Sequence, residues 1–262
     1  MGRSHALSGW CAGLAVAPFL GLDTIVTAVP FAAATAGYAL LPDLDHPGAR
    51  ASRLLGPVTG SLSRALRAVS AALYRWTKGP RDEKVTGRHR HATHTLAAAL
   101  LLAWLAAAAG EAGGPWAVVA ILTIGLMLAV DALENWLFGL LIGAGLLWAS
   151  AVFRQDIAGA VATELGTIGG WVGIAVGLGM FVHVLGDSVT MSGCPWLWPL
   201  RIAGETWYEI RPPRGLRFRT GGPFEQFVVV PGLTAAAALL LPGAWPVAST
   251  VATGVMDRVL GV

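Results

Sequence analysis

Apolar residues fall in long runs along this chain, and polar residues gather in the gaps between them. Residues 7–22 and 24–41 are two such runs, parted only by Asp23 and Thr24, which predicts a tight helical hairpin. Further runs cover 93–110, 116–130, 136–153, 165–185 and 224–241. Several approach the roughly 20 residues that a membrane-crossing helix needs. Gly113-Gly114-Pro115 predicts a turn between the third and fourth runs, and 131–135 is a short acidic connection. Residues 154–164 fit a loop or a surface helix. Pro231 predicts a kink in the last run, and the tail after Pro246 is weakly amphipathic. The pattern predicts an all-α polytopic transmembrane helix bundle of about seven spans.

Residues 50–90 break that pattern. Leu55, Val58, Leu62, Leu66, Val69 and Leu73 recur every three or four positions, with Arg64, Arg67 and Arg75 interleaved. This spacing predicts an amphipathic helix near 54–76. Such a helix lies on a membrane surface with its basic side chains near anionic headgroups; the alternative is a helix packed on the protein's own face. Residues 78–88 form a loop with Pro80 and Gly87, and 194–223 form an extended loop with room for short strands. There is no internal repeat and no second soluble domain, so 1–262 is a single integral membrane domain.

Composition strengthens the membrane reading. Hydrophobic residues make up 55% of the chain and charged residues only 13%, where a soluble domain carries about a quarter charged residues. Mean hydropathy is +0.64. The frequent glycines suit closely packed transmembrane helices. Cys11 and Cys194 have neither metal-type nor redox-type spacing, and Cys11 is read as a small core residue. A signal peptide is rejected: no clear cleavage site follows the first run, and His5 would be lost with it.

Charge then orients the bundle. Arg50, Arg53, Arg64, Arg67, Arg75, Lys78, Arg81, Lys84, Arg88 and Arg90 lie between the second and third runs. By the positive-inside rule that loop is cytoplasmic. Counting spans forward puts the N-terminus, 131–135 and 194–223 inside as well, and leaves only Arg154 and Arg258 outside. All six histidines then fall at one membrane level, although only Lys and Arg were used to set it.

The centre of that level is Leu41-Pro42-Asp43-Leu44-Asp45-His46-Pro47. Ionisable groups at membrane depth are rare and usually functional. His5, His89, His94, His183 and Asp187 are placed to join Asp43, Asp45 and His46 in a shared metal site. His183 and Asp187 are an i, i+4 pair, on one face of a helix. Imidazole and carboxylate without thiolate suit zinc first, with manganese or iron as alternatives. His91 is set aside as a neighbour. Thr190, Ser192 and Gly193 follow Asp187, and the later run Arg219-Thr220-Gly221-Gly222-Pro223-Phe224-Glu225 combines a Gly-rich helix start with arginine, a pattern that suits a phosphate.

Four pieces together carry a resemblance: Ser4-His5; the Leu41–Pro47 motif; His89-Arg90-His91-Ala92-Thr93-His94-Thr95; and His183-Val184-Leu185-Gly186-Asp187 through Gly193. With the late Arg219–Glu225 run, they resemble the YdjM-like, LexA-regulated bacterial inner-membrane proteins, described as predicted metal-dependent hydrolases. The resemblance covers residue 5 to about 225. Thr95 stands where that family usually has serine, and Pro223 where a small polar residue is expected. The resemblance implies His5, Asp43, Asp45, His46, His89, His94, His183 and Asp187 as ligands.

The expected function is a membrane-embedded metal-dependent hydrolase at the cytoplasmic interface of the inner membrane. It would hold two divalent ions and cleave a phosphoester of a phospholipid, lysophospholipid or polyprenyl phosphate. Asp43 and Asp187 would orient the attacking water. Arg90, Thr190, Arg219, Thr220, Gly221 and Glu225 would bind substrate, with Arg90 also acting in catalysis. Membrane lipids are the expected partners and nucleic acid is not, since orientation in the membrane explains the basic charge. Two alternatives stay open: a metal-ion transporter, and a non-catalytic membrane protein with a structural metal.

Overall fold

The computed structural model describes residues 2–153 and 156–244. The tail after Pro246, together with Arg154 and Arg258, lies outside the described residues. The described chain is helical: α1 Gly2–Val16, α2 Ile25–Tyr38, α3 Pro57–Thr77, α4 Leu96–Leu133, α5 Asn135–Val152, α6 Ile157–Ser188 and α7 Val230–Leu239. A π-helical turn, Glu225–Val229, leads into α7. The expected kink at Pro231 therefore coincides with the change from π to α geometry. Among the described residues the 194–223 loop forms only isolated bridges, such as Cys194 with Ile210, and no strand.

The predicted hairpin at 23–24 is present, and its residues explain it. Gly21 closes the 3₁₀ turn Ala17–Leu20 in the left-handed region, at φ 72°. Thr24 then caps α2: its hydroxyl accepts from the Thr27 amide at 3.3 Å, and the Thr27 hydroxyl accepts from the Thr24 amide at 3.3 Å. This reciprocal cap satisfies two donors that a helix start otherwise leaves open.

α2 runs through the middle of the bundle and touches α1, α4, α5 and α6. Small residues allow this. A Cβ on Gly37 would lie 1.8 Å from the Gly125 carbonyl oxygen, so α2 and α4 meet backbone to backbone, as helices in lipid often do. Cys11 is half-buried and its thiol reaches the Leu233 carbonyl at 3.4 Å, binding α1 to α7.

The Gly-Gly-Pro turn appears in a sharper form than expected. α4 is broken at Gly114 (φ 58°, ψ −151°), directly before Pro115, with no intervening loop. The Tyr38 hydroxyl donates to the Ile121 carbonyl at 2.7 Å, while its ring packs against Ala99 and Leu102. Both arms of α4 thus flank one tyrosine. A straight helix of 38 residues would separate its ends by about 57 Å, so the chain doubles back at Gly114.

By length and composition, four segments can cross a membrane: Ile25–Asp45, Leu96–Leu133, Asn135–Val152 and Ile157–Ser188. That is fewer than the expected seven. The third and fourth expected spans are the two arms of one segment; α1 has only 15 residues, and Glu225–Leu239 is also short. Side chains such as Leu100, Trp104, Phe138 and Leu146 are exposed on the outside of the bundle, as lipid-facing positions would be.

α3 forms where the amphipathic helix is expected. It turns its polar side inward: Ser63, Ser70, Ala71 and Tyr74 are buried, whereas Val58, Val69 and Trp76 are 68%, 62% and 83% exposed. The apolar stripe is divided: Leu66 packs against the core and Leu73 is half-buried, while Leu62 and Val69 stay exposed.

Candidate metal centre

Four stretches of the chain bring the polar residues to one end of the bundle. His5 lies within the first turns of α1, not ahead of it. After α2, the 3₁₀ turn Pro42–Asp45 presents Asp43 and Asp45. A second 3₁₀ turn, Ala92–His94, precedes α4 and places His94. The last turns of α6 carry His183 and Asp187. Thr95 ends the second turn by capping α4, its hydroxyl accepting from the Ala98 amide at 3.1 Å.

His94 Nε2 lies 3.1 Å from His183 Nε2. Asp187 Oδ2 is 3.4 Å from His94 Nε2 and 3.7 Å from His183 Nε2. Asp43 Oδ1 is 3.9 Å from His183 Nε2. His5 stacks on His183 with ring centroids 4.0 Å apart, and its Nε2 is 3.4 Å from Asp187 Oδ1. His94, His183 and Asp187 are 0% exposed.

The hydrogen bonds fix which nitrogens are free. His183 Nδ1 is 2.7 Å from the Ala39 carbonyl oxygen. A carbonyl only accepts, so Nδ1 carries the proton and Nε2 presents a lone pair. His94 Nδ1 contacts Thr93 Oγ1 at 3.0 Å, and that hydroxyl donates to Asp45 Oδ2 at 2.6 Å. The hydroxyl proton is therefore spent on Asp45, so His94 Nδ1 donates and its Nε2 is also a lone pair. Two lone pairs face each other at 3.1 Å, which needs a shared cation or proton. Beside them, Asp187 Oδ2 and His5 Nε2 are buried without a hydrogen-bond partner. Buried polar atoms are rarely left so.

These donors fit a divalent transition metal. Tetrahedral ligands at ordinary zinc distances stand about 3.3–3.4 Å from one another, close to the separations seen. Three overlapping groups can each hold an ion: His5, Asp43 and His183; Asp43, His89 and His94; His94, His183 and Asp187. Six of the eight expected ligands are thus brought together. Burial holds the His94 imidazole well below its ordinary pKa, which keeps it neutral, the form a metal requires.

Asp45 and His46 stand outside these groups. Asp45 is fully buried and both its oxygens are engaged: His89 Nδ1 donates to Oδ1 at 2.6 Å and the Thr93 hydroxyl to Oδ2 at 2.6 Å. It orients His89 directly and His94 through Thr93, leaving their Nε2 atoms for the centre. His46 is exposed; its Nδ1 accepts from the Gly48 amide at 3.1 Å, and its ring meets His89 edge-on at 4.8 Å.

A cavity of about 770 Å³ opens beside the cluster, lined by Asp43, His46, His89, Arg90, Arg3, Arg50, Ser192 and Thr220. Arg90 sits in the left-handed region at φ 55°, an uncommon state for a residue with a side chain. Its guanidinium donates to Asp187 Oδ1 and Thr190 Oγ1, both at 3.0 Å. Of the other expected substrate residues, Thr220 lines the cavity, while Arg219 is exposed and outside its lining. Glu225 is buried; it accepts from the Ser4 hydroxyl at 2.6 Å and the Gly221 amide at 2.7 Å. It ties α1 to the start of the C-terminal helix.

Sequence reasoning missed Thr93, Arg3, Arg50 and Ser192. Thr93 was within reach, since it lies inside the His89–Thr95 motif, one residue before a ligand. Arg50 was counted only for topology. Its guanidinium donates to the Asp131 carbonyl, a contact between segments that no local pattern announces.

Gly186 supplies a direct test of the cluster. A Cβ there would lie 3.2 Å from His5 Cε1 and Nδ1, and stacking on His183 leaves that ring little room to retreat. Gly186→Ala is expected to weaken metal binding about tenfold with helix content unchanged, read by chelator competition and circular dichroism.

The model of the family described as YdjM inner membrane protein matches residues 1–255. No curated protein and no solved structure matches the chain.

Proposed function

The chain belongs to the YdjM inner membrane protein family, and on that premise we propose that it is a metal-dependent hydrolase cleaving a phosphoester of a lipid or amphipathic phosphate. The observation that carries this reading is the buried His/Asp cluster, with orphaned donor atoms, beside a large arginine-lined cavity. Three overlapping donor groups that share Asp43, His94 and His183 suit two neighbouring ions. A divalent metal held there supplies Lewis acidity toward a phosphoryl oxygen and acidifies a coordinated water.

The chain's own residues do the rest. Asp43, half-buried at the cavity wall, accepts a proton from the attacking water. Asp187 holds Arg90 through one oxygen and turns the other to the imidazoles. Arg90, Arg3 and Arg50 give the cavity its positive lining, which suits a phosphate. Leu40, Ala51 and Ala132 line the same cavity and suit an apolar chain. The arginine-rich 50–90 and 194–223 loops favour a cytoplasmic site and N-terminus. Seven passes follow if both arms of α4, together with α1 and Glu225–Leu239, traverse the bilayer.

A structural ion is the second reading, favoured by the complete burial of His94, His183 and Asp187. Turnover separates the two. Zinc- or manganese-loaded protein in lipid nanodiscs is expected to release product from lysophosphatidate or a polyprenyl phosphate, and Asp43→Asn to slow release at least a hundredfold. Metal-loaded wild type with no turnover on any phosphoester would leave the structural ion standing.

A further inference from the structure

α3 carries a row of large apolar residues on the side turned away from the protein. Leu55, just ahead of the helix, then Leu62, Val69 and Trp76 repeat every seven residues, with Val58 alongside, and all are exposed. The i, i+7 spacing places them in one stripe along the helix. Arg64, Arg75 and Lys78 are exposed on other faces of the same stretch. A helix with an apolar stripe on one side and exposed basic residues on another is complementary to a bilayer's anionic interface. The chain reaches α3 from α2 through the Pro42–Asp45 turn and residues 46–56, and the segment Ile25–Asp45 is long and apolar enough to span.

The inner face of α3 holds the histidine-bearing loop. The Ser70 hydroxyl donates to the Gly87 carbonyl at 2.6 Å and accepts from the Ala92 amide at 3.2 Å. Tyr74 lies edge-on to His91 at 4.7 Å, and its hydroxyl donates to the Glu83 carbonyl. Gly87 (φ 66°) sits so close beneath Tyr74 that a Cβ would fall 2.3 Å from that side chain. His91 in turn donates from Nδ1 to the His89 carbonyl at 2.8 Å. Both ends of the segment that presents His89 and Arg90 are therefore pinned to α3.

We propose that α3 is seated in the anionic membrane interface by its Leu55–Trp76 stripe, and that this seating holds the His89–His94 segment in its metal-binding shape. The bilayer acts as a regulator of the centre: lipid contact outside fixes ligand geometry inside. The proposal rests on the membrane reading of the fold and on the metal centre, and is independent of hydrolysis.

The test uses the full chain in nanodiscs of phosphatidylcholine and phosphatidylglycerol. A spin label is placed at Val69→Cys or at Arg64→Cys in a Cys11→Ala background, Cys194 being fully buried. The label at 69 is expected to collide with oxygen and to be shielded from a water-soluble nickel chelate, and the label at 64 to show the reverse. Equal nickel access at both positions overturns the seating. So does shielding at 69 from both reagents with short label-to-label distances, which would make the stripe a contact between copies. For the coupling, Val69→Glu is expected to speed hydrogen exchange over 87–94 about five- to tenfold, the scale of one lost hydrogen bond. Exchange in α2 and α6 should stay unchanged. Should that variant not fold, Leu62→Gln and Val69→Gln are read the same way. Exchange over 87–94 that ignores the loss of α3 from lipid overturns the coupling.

Discussion

Asp187→Ala is expected to leave the purified protein without bound transition metal, at any metal concentration that keeps it folded. Among the described residues, Asp187 is the side chain that meets His94, His183, His5 and Arg90 together. Its Oδ2 is buried and has no hydrogen-bond partner, so its burial lacks compensation unless a cation lies against it. Removing the carboxylate takes away one of the two carboxylates in the donor groups and leaves Asp43 as the other, while Arg90 stays beside the cluster. Imidazoles next to a guanidinium, with a single carboxylate left to offset it, are a poor cation site. A ligand's loss costs more than the ten- to hundredfold typical of its supporting hydrogen bonds. His183→Ala is expected to do the same, because His183 belongs to two of the three donor groups. Elemental analysis of the two variants beside wild type is the measurement. Two equivalents of zinc, manganese or iron in wild type, with neither variant retaining any, is the expected result. A wild type that takes up no metal even after reconstitution would remove the metal centre and the hydrolase with it.

The bundle was legible because lipid imposes a simple rule: long apolar runs become helices. That rule marked the apolar helices, though α6 starts at Ile157, earlier than its apolar run, and the Gly-Gly-Pro sequence marked the break at 113–115. It could not show that the break lacks a loop, since the reversal depends on φ and ψ at a single glycine, Gly114. The candidate site was legible for a related reason. Ionisable residues stand out against an apolar background, and charge topology placed His5, Asp43, His89, His94, His183 and Asp187 at one level before any contact was known. What that reasoning could not separate is a ligand from the group that aims it. Asp43 and Asp45 are two residues apart on one 3₁₀ turn. That spacing sends Asp43 to the cavity and Asp45 into the protein beneath the histidines. Nor could composition tell which face of α3 meets the protein, because an amphipathic pattern is the same whichever side is wet.

Asp45→Asn tests that division of labour. The amide keeps the size of the carboxylate but can accept at one atom only; its NH₂ group donates. Asp45 now accepts at both oxygens, from His89 Nδ1 and from the Thr93 hydroxyl. One of these bonds must reverse in the variant. If the amide faces His89, that ring moves its proton to Nε2, the atom that should bind metal. If it faces Thr93, the hydroxyl turns to donate to His94 Nδ1, and His94 carries its proton on Nε2 instead. Either way one ligand nitrogen is blocked until a tautomer is paid for. Metal affinity should fall ten- to a hundredfold, roughly 1.4–2.7 kcal/mol. Excess metal should restore full occupancy, which distinguishes this variant from Asp187→Ala. Nitrogen-15 correlation spectra of the metal-free protein supply a second readout, with His89 or His94 moving from the Nδ1–H to the Nε2–H tautomer. An Asp45→Asn protein that stays empty at saturating metal would make Asp45 a ligand in its own right, and would require the 3₁₀ turn at Pro42–Asp45 to present both carboxylates to the ions.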